Sequence, residues 1–349
     1  MEPAAEYRIQ LEAGERAEAA GDPHTAAAAY RAVIAAGDVP AAVDARFHFG
    51  RLALRQGNAD AALSSFGQAL ALARQLGEPE LEALVQNGIG AAHHARDDFD
   101  AARLAYTAAH SLATEPVLRG KITLNLGVIE SADGHLAAAR DHYAEAVRIC
   151  GAAGDWASVT VALLNLGIAQ TELGLYTDAH GSLSAAIQRA TEAGDRDTVA
   201  KALLNHSPVL VELGAIDDAI EACNRAGDLY QELGDELGAA EALRWRAHAV
   251  GRSGDLSAAT ADARTALALA TRLGATRLEA EAARDLGVLL GLGGDGIAGR
   301  ARLHQALAAF TALGARHDAA EVGRLLSRPT PARSLERIDG GASGDPAGS

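Results

Sequence analysis

The sequence has few aromatic residues and no long apolar run. Aromatic side chains make up 4% of its 349 residues, although hydrophobic residues as a whole make up 49%. A core of this composition must be built from small and aliphatic side chains in close contact. Residues 1–10 lack a basic segment followed by an apolar run, and no stretch reaches the length of a membrane span. We therefore expect a cytoplasmic protein without a membrane partner.

Basic residues are scarce, and lysine is almost absent. The sequence has 31 Lys and Arg against 46 Asp and Glu, a net charge of −15, and its only lysines are Lys121 and Lys201. An acidic chain repels a phosphate backbone, so we expect no nucleic-acid partner. Cys150 and Cys223 are the only cysteines. They stand among apolar residues and far apart in the chain, which favours two buried free thiols over a disulfide.

Glycine, by contrast, is abundant and regularly placed. Two series of glycines recur with a step of forty residues, each halfway between the members of the other. With small deletions, the first series extends backward through Asp97, Gly57 and Gly21. A period of this length with two turns indicates stacked helix pairs, because one pair cannot bury its own apolar face. The first series is Gly134, Gly174, Gly214, Gly254 and Gly294, and the second is Gly154, Gly194, Gly234, Gly274 and Gly314.

Apolar residues within each unit recur at helical spacing, as in Val161, Leu164 and Ile168, and no segment alternates as a strand does. We therefore predict an all-α solenoid of about eight helix pairs over residues 5–327, closed by a capping helix at about 316–327. Residues 328–349 are rich in Pro, Gly and Ser and are predicted to be a disordered tail. The first helices are expected to begin near Ala5, Ala41, Glu80, Pro116, Asp155, Asp195, Asp235 and Ala275.

The packing residues of each unit resemble those of tetratricopeptide repeats. Asn165, Leu166 and Gly167 lie in a first helix, with Ala179 and Ala186 at the small positions of the second. A small side chain lets two helices approach, and a large one fills the next layer. The large position recurs as Tyr30, Phe66, Tyr106, Tyr143 and Leu183.

The forty-residue unit is longer than the family's common repeat of about 34 residues, and it lacks the usual closing proline. In this it resembles the arrays of kinesin light chains, of spindle-orientation adaptors and of the sensor parts of bacterial antibiotic-regulatory transcription factors. The resemblance implies a right-handed superhelix whose first helices line a concave groove. It also implies that the partner is a protein or an extended peptide.

Asparagines at one first-helix position hold the backbone of an extended peptide in the resembling adaptors. That position reads Asn125, Asn165 and Asn205 in three consecutive units of this chain. An amide both donates and accepts hydrogen bonds, so such a row can hold a peptide whatever its side chains. The alternative is that these amides fit the family consensus and bond a neighbouring helix.

Charged and aromatic residues at nearby groove positions form a second group of candidates. Their positive charge suits an acidic peptide or a C-terminal carboxylate, and an indole suits an apolar anchor. For the charged residues the alternative is solvation at a helix surface, and for the tryptophan it is packing against the next unit. These candidates are Lys121, Lys201, Arg244, Trp245, His248 and Arg252.

The sequence has no recognisable catalytic motif. His93 and Asp97 lack further metal ligands, the Gly291–Gly296 segment lacks the lysine of a phosphate loop, and no Ser or Cys stands in a nucleophile elbow. We predict a non-enzyme with no metal and no cofactor. The leading hypothesis is an adaptor that binds a protein or extended peptide. The alternative is a sensory or regulatory component that controls a separate transcription factor or ATPase. The oligomeric state is left open.

Overall fold

The computed structural model describes residues 3–327, which form seventeen α-helices and no strand. The helices belong to two compact units that divide between Leu213 and Gly214. None of the described helices is long and apolar enough to cross a membrane. The first unit contains α1 (Pro3–Ala19), α2 (Pro23–Ala36), α3 (Val39–Arg55), α4 (Ala59–Leu76), α5 (Pro79–His94), α6 (Phe99–Leu112), α7 (Pro116–Ala132), α8 (Leu136–Ala153), α9 (Trp156–Glu172), α10 (Tyr176–Ala193) and α11 (Arg196–Glu212). The second contains α12 (Ile216–Leu233), α13 (Glu236–Ser253), α14 (Leu256–Leu273), α15 (Thr276–Leu292), α16 (Gly296–Ala312) and α17 (Arg316–Ser327).

The turns between helices require a left-handed backbone, and the glycine series supplies it. Every glycine of the two series has a positive φ, between 67° and 99°. Asp97 stands where the first series lacks a glycine, and within residues 3–327 it is the one non-glycine residue with a positive φ, 58°. Aspartate tolerates this region better than a bulky residue does. Asp98 then caps α6, because its carboxylate accepts a hydrogen bond from the Ala101 N–H at 3.2 Å.

In six of the eight pairs, the two helices meet where a glycine of the first faces a large residue sixteen positions later. A Cβ added to Gly127 would lie 2.6 Å from the ring of Tyr143, and one added to Gly167 would lie 2.5 Å from Leu183. Tyr143 and Leu183 are buried, with 3% and 0% of their surface exposed. The same pairing joins Gly14 with Tyr30, Gly50 with Phe66, Gly90 with Tyr106 and Gly287 with Leu303.

The pair formed by α13 and α14 has two small side chains at the same position. Ala247 and Ala263 occupy the equivalent places and are both fully buried in one apolar cluster. A glycine facing a large side chain is therefore not required in every pair, since two buried alanines also close this contact.

The first helix of each pair lies on the inner side of its unit. In the first unit α1, α3, α5, α7 and α9 each pack against the next odd-numbered helix, the last of these contacts being α9 with α11, and α13 packs against α15 in the second unit. Between successive even-numbered helices of the described chain there is no comparable packing. Successive helices approach more closely on the concave side of a curved stack, so the odd-numbered helices line the inner face of each unit.

The fold predicted from the sequence is confirmed. Eight helix pairs are followed by the terminal helix α17, and each first helix begins within about two residues of its expected start. Cys150 and Cys223 are buried free thiols, as predicted. The predicted tail, residues 328–349, lies outside the described residues. The boundary of the repeat domain at residue 327 therefore stays a prediction.

The contact between small and large residues can be tested at α7. Gly127→Ala should lower the free energy of unfolding by about 1–3 kcal/mol, because the added methyl group overpacks the contact with Tyr143. Gly181 is the matched control, since it lies inside α10 and an added Cβ would meet no neighbouring atom within 4 Å. Gly181→Ala should raise the stability by about 0.5–1 kcal/mol. Urea unfolding followed by circular dichroism measures both. A Gly127→Ala variant as stable as the wild type would contradict the contact.

Candidate peptide-binding surface

Three inner helices of the first unit present equivalent residues at a step of forty. α7, α9 and α11 begin at residues 116, 156 and 196, so the same place on each helix recurs at that step. One such place is half-buried and holds the asparagines, and the place one turn earlier is exposed. We name these two rows the asparagine face; it consists of Asn125, Asn165 and Asn205 with Lys121, Val161 and Lys201.

The three asparagines differ in their hydrogen bonds. Asn125 Nδ2 donates to Oδ1 of Asn87 on α5 at 2.9 Å, which links two neighbouring helix pairs. Asn205 Nδ2 donates to the carbonyl oxygen of Lys201, one turn earlier, at 2.8 Å. Asn165 makes no side-chain hydrogen bond to any described residue. Its whole amide is therefore available to a ligand, whereas Asn125 and Asn205 retain their side-chain oxygens and one N–H each.

The two lysines of the asparagine face each have a carboxylate partner. Lys201 Nζ lies 2.5 Å from Asp197 Oδ2, and Lys121 Nζ lies 3.5 Å from Asp155 Oδ2. About half of each lysine side chain is exposed, and exposed pairs contribute only about 0–1 kcal/mol. Either ammonium group can therefore turn to a ligand carboxylate at little cost. Val161 stands between them and is 43% exposed.

Arg244, in the second unit, is held between two carboxylates. Its residue surface is 7% exposed. Nη1 lies 2.9 Å from Asp285 Oδ2, and Nη2 lies 3.4 Å from Glu281 Oε2, both on α15. Asp285 also accepts a hydrogen bond from Arg284 Nε at 2.9 Å. The charge of Arg244 is thus balanced inside its own unit. Sequence reasoning did not find this network, although Asp285 at the asparagine position of α15 was a signal for it.

The other candidates of the second unit surround Arg244 on α13. The guanidinium of Arg244 stacks 4.5 Å from the centre of the Trp245 ring. Trp245 meets His248 edge to face, with ring centroids 5.9 Å apart. Both rings are half-buried, and Arg252 is exposed near the end of the helix. The structure thus brings Arg244, Trp245 and His248 together. A role for these residues in binding stays a prediction.

The pKa of Asp285 reflects this network. Burial raises the pKa of its carboxyl group, but the charges and hydrogen bonds of Arg244 and Arg284 outweigh burial and hold the pKa below its usual value. Glu241, on the inner face of α13, differs because burial raises its pKa and the attraction of Arg244 only partly opposes that. Asp285 therefore stays ionised over a wider pH range than Glu241.

Comparisons with known proteins agree with this geometry. The tetratricopeptide repeat family model matches residues 43–115. None of the curated protein sequences matches the chain. The resemblance predicted from the packing residues is thereby confirmed.

Three solved structures with the same fold illustrate the range of similar proteins. A Rap protein complexed with Competence and Sporulation Factor has a TM-score of 0.59 and 14% identity, over 93% of this chain and 97% of that one. A signal transduction ATPase with a tetratricopeptide repeat sensor, from Pyrococcus horikoshii, has a TM-score of 0.71 and 13% identity, over 91% of this chain and 48% of that one. The apo quorum sensor NprR from B. thuringiensis has a TM-score of 0.58 and 13% identity, over 92% and 98%. Identities this low show the fold alone.

Removal of the buried arginine tests the ion-pair network. Arg244→Gln should cost about 3 kcal/mol at pH 7, because it leaves the Glu281 and Asp285 carboxylates short of a partner. The pKa of Asp285 is lower in the folded state than in the unfolded chain, where it is about 3.9. The stabilisation is therefore complete above the unfolded-state pKa and is lost as the pH falls through the folded-state pKa. The difference between variant and wild type should therefore shrink below about pH 4. Urea unfolding at several pH values measures it.

Arg272→Gln is the matched control in the same unit. Arg272 pairs with Glu236 at 3.0 Å, but both side chains are more than half exposed. Its loss should cost about 0–1 kcal/mol. Equal losses for the two variants would show that the Arg244 network contributes no more than a surface pair.

Proposed function

From the premise that the chain carries tetratricopeptide repeats and has the fold of a solenoid of such repeats, we propose that it binds an extended peptide or a peptide-like segment of a partner protein. The binding surface in this proposal is the asparagine face of α7, α9 and α11. The observation that carries the proposal is Asn165, a half-buried amide on an inner helix without a side-chain hydrogen bond to the described residues.

The amide chemistry of this face suits a peptide backbone. Burying a polar group without a hydrogen-bond partner costs free energy, and a ligand can supply that partner. An extended backbone presents N–H and C=O groups in alternation, and an asparagine side chain can accept from the first and donate to the second. Asn125 and Asn205 stand on the helices to either side and keep acceptor oxygens available. The row can therefore hold a backbone without selecting its side chains.

The residues beside the asparagines favour a ligand with both apolar and acidic groups. Val161 offers an exposed apolar surface at the middle of the face. Lys121 and Lys201 flank it, and their weak surface pairs can be exchanged for a ligand carboxylate. In an acidic chain, these two lysines place ammonium groups at both ends of the face.

A sensory or regulatory role is the second candidate. Two of the similar structures are a quorum sensor and a Rap protein complexed with Competence and Sporulation Factor, and a third is a signal transduction ATPase with a repeat sensor. In this version, peptide binding to the asparagine face would change how the chain acts on a separate transcription factor or ATPase. Both versions use a protein or peptide partner, involve no catalysis by the chain itself, and are consistent with a cytoplasmic location.

A single substitution tests the asparagine face. Peptides selected from a random display library against the wild-type chain would be synthesised and titrated by calorimetry. Asn165→Ala should weaken their binding about tenfold, because the hydrogen bonds of a half-buried amide are lost and a ligand group is left unpaired. The melting temperature should remain close to that of the wild type, since Asn165 has no side-chain hydrogen bond to the described residues.

Gln231→Ala serves as the control, since Gln231 is an exposed amide on the even-numbered helix α12. It should leave the affinity unchanged. If Asn165→Ala is fully folded and binds the selected peptides as tightly as the wild type, the asparagine face is not the binding surface.

A further inference from the structure

A cavity of about 470 Å³ opens beside the asparagine face in the first unit. It is formed by the start of α9, the end of α10 and the start of α11. Val161 belongs both to this cavity and to the asparagine face, so the two are continuous along α9. The volume lies within the range of about 300–1,000 Å³ that is common for small-molecule sites. Its wall includes Trp156, Thr160, Val161, Arg189, Glu192 and Asp195.

Arg189 is the distinctive residue of this cavity. Its guanidinium stacks 4.1 Å from the centre of the Trp156 ring, which holds it in place. It is half-buried, yet it makes no hydrogen bond or ion pair with any described residue. Other half-buried arginines, such as Arg103, Arg246 and Arg284, each bind a carboxylate within the chain. Arg189 therefore keeps a fork of N–H donors free in a partly desolvated position.

The two acids in the wall are already engaged. Glu192 accepts a hydrogen bond from Gln188 Nε2 at 2.9 Å. Asp195 caps α11, accepting from the Thr198 N–H at 3.1 Å and from its hydroxyl at 2.6 Å. The positive end of the α11 dipole offsets the charge of Asp195. Among the charged groups of the wall, Arg189 alone has no hydrogen-bonded partner among the described residues.

Two large apolar side chains of the remaining wall are exposed. Trp156 is 51% exposed and Val161 is 43% exposed, although large apolar side chains gain free energy when covered. A ligand that covers them and also reaches Arg189 must combine an apolar body with an anionic group. A carboxylate matches the planar fork of the guanidinium best.

We propose that this cavity binds a carboxylate carried on an aromatic or aliphatic body, with the carboxylate on Arg189 and the body against Trp156 and Val161. Such a group has two sources. One is a free small organic acid, and the other is the C-terminal residue of a peptide that lies on the asparagine face. The inference goes beyond the proposed function and, for the first source, holds independently of it.

The test uses three matched probes, 3-phenylpropionate, its uncharged amide and 3-phenylpropylamine. In a Trp245→Phe background, Trp156 is the only remaining tryptophan, so its fluorescence reports on the cavity. Calorimetry on the wild-type chain checks the same affinities. The acid should bind about tenfold more tightly than the amide, as expected for one charge-assisted hydrogen bond. The amine should bind more weakly than either.

Arg189→Gln should remove the preference for the acid while leaving the affinity for the amide unchanged. Arg264→Gln, at an exposed position of α14 in the second unit, is the control and should change neither. Equal binding of acid and amide to the wild type, no binding of either in the millimolar range, or tightest binding of the amine would each overturn the proposal. The last result would show that Glu192 and Asp195 dominate the cavity.

A peptide arm separates the two sources. The probes are acetyl-Ala-Ala-Phe with a free carboxyl end and the same peptide as an amide. Tighter binding of the free-acid peptide that depends on both Arg189 and Asn165 would identify a peptide end as the ligand. Binding of 3-phenylpropionate that depends on Arg189, with peptide binding insensitive to Asn165, would identify a free acid and would count against the proposed function alone. Peptide binding that depends on Asn165, with no acid preference at Arg189, would count against this inference alone.

Discussion

In six of the eight helix pairs, a glycine of the first helix meets a large residue sixteen positions later, and this contact sets the distance between the two helices. Every other feature of the unit depends on that distance. Where the first residue is glycine, as at Gly127 and Gly167, the second helix comes close enough to bury Tyr143 or Leu183 against it. Several of the few tyrosines and phenylalanines of the chain are used at this contact.

The same contact fixes the register of the inner helices, and the two units use that register differently. In the first unit the asparagine face leaves Asn165 without a side-chain hydrogen bond to the described residues and pairs its lysines only weakly. In the second unit the asparagine position carries Trp245 and Asp285, and Asp285 binds Arg244, the residue next to Trp245. A buried ion pair gains little net stability but is costly to break. Arg244 and Asp285 are therefore already engaged with each other, and we assign the proposed binding to the first unit.

The fold could be predicted from the sequence because the residues that form its turns are determined by local backbone conformation. A positive φ selects glycine almost regardless of the surroundings, so the forty-residue step is visible without a structure, and even Asp97 fits it. The availability of the groove residues could not be predicted in the same way. Asn125 donates a hydrogen bond to Asn87, 38 residues earlier, and Arg244 donates one to Asp285, 41 residues later. Such partners depend on which side-chain rotamers meet across neighbouring helices, and repeat spacing does not encode that. The cavity at Arg189 was overlooked for the same reason, since three helix ends form it.

The central claim is that the inner face of α7, α9 and α11 receives the ligand, and photo-crosslinking tests it most directly. A benzoyl-phenylalanine placed at Val161 would lie on the asparagine face, and one placed at Leu104 would lie on the even-numbered helix α6, where the native side chain is 73% exposed. We expect a bound peptide to crosslink from position 161 and not from position 104. Crosslinking from position 104 with none from position 161, in variants that bind the peptide with wild-type affinity, would contradict the account.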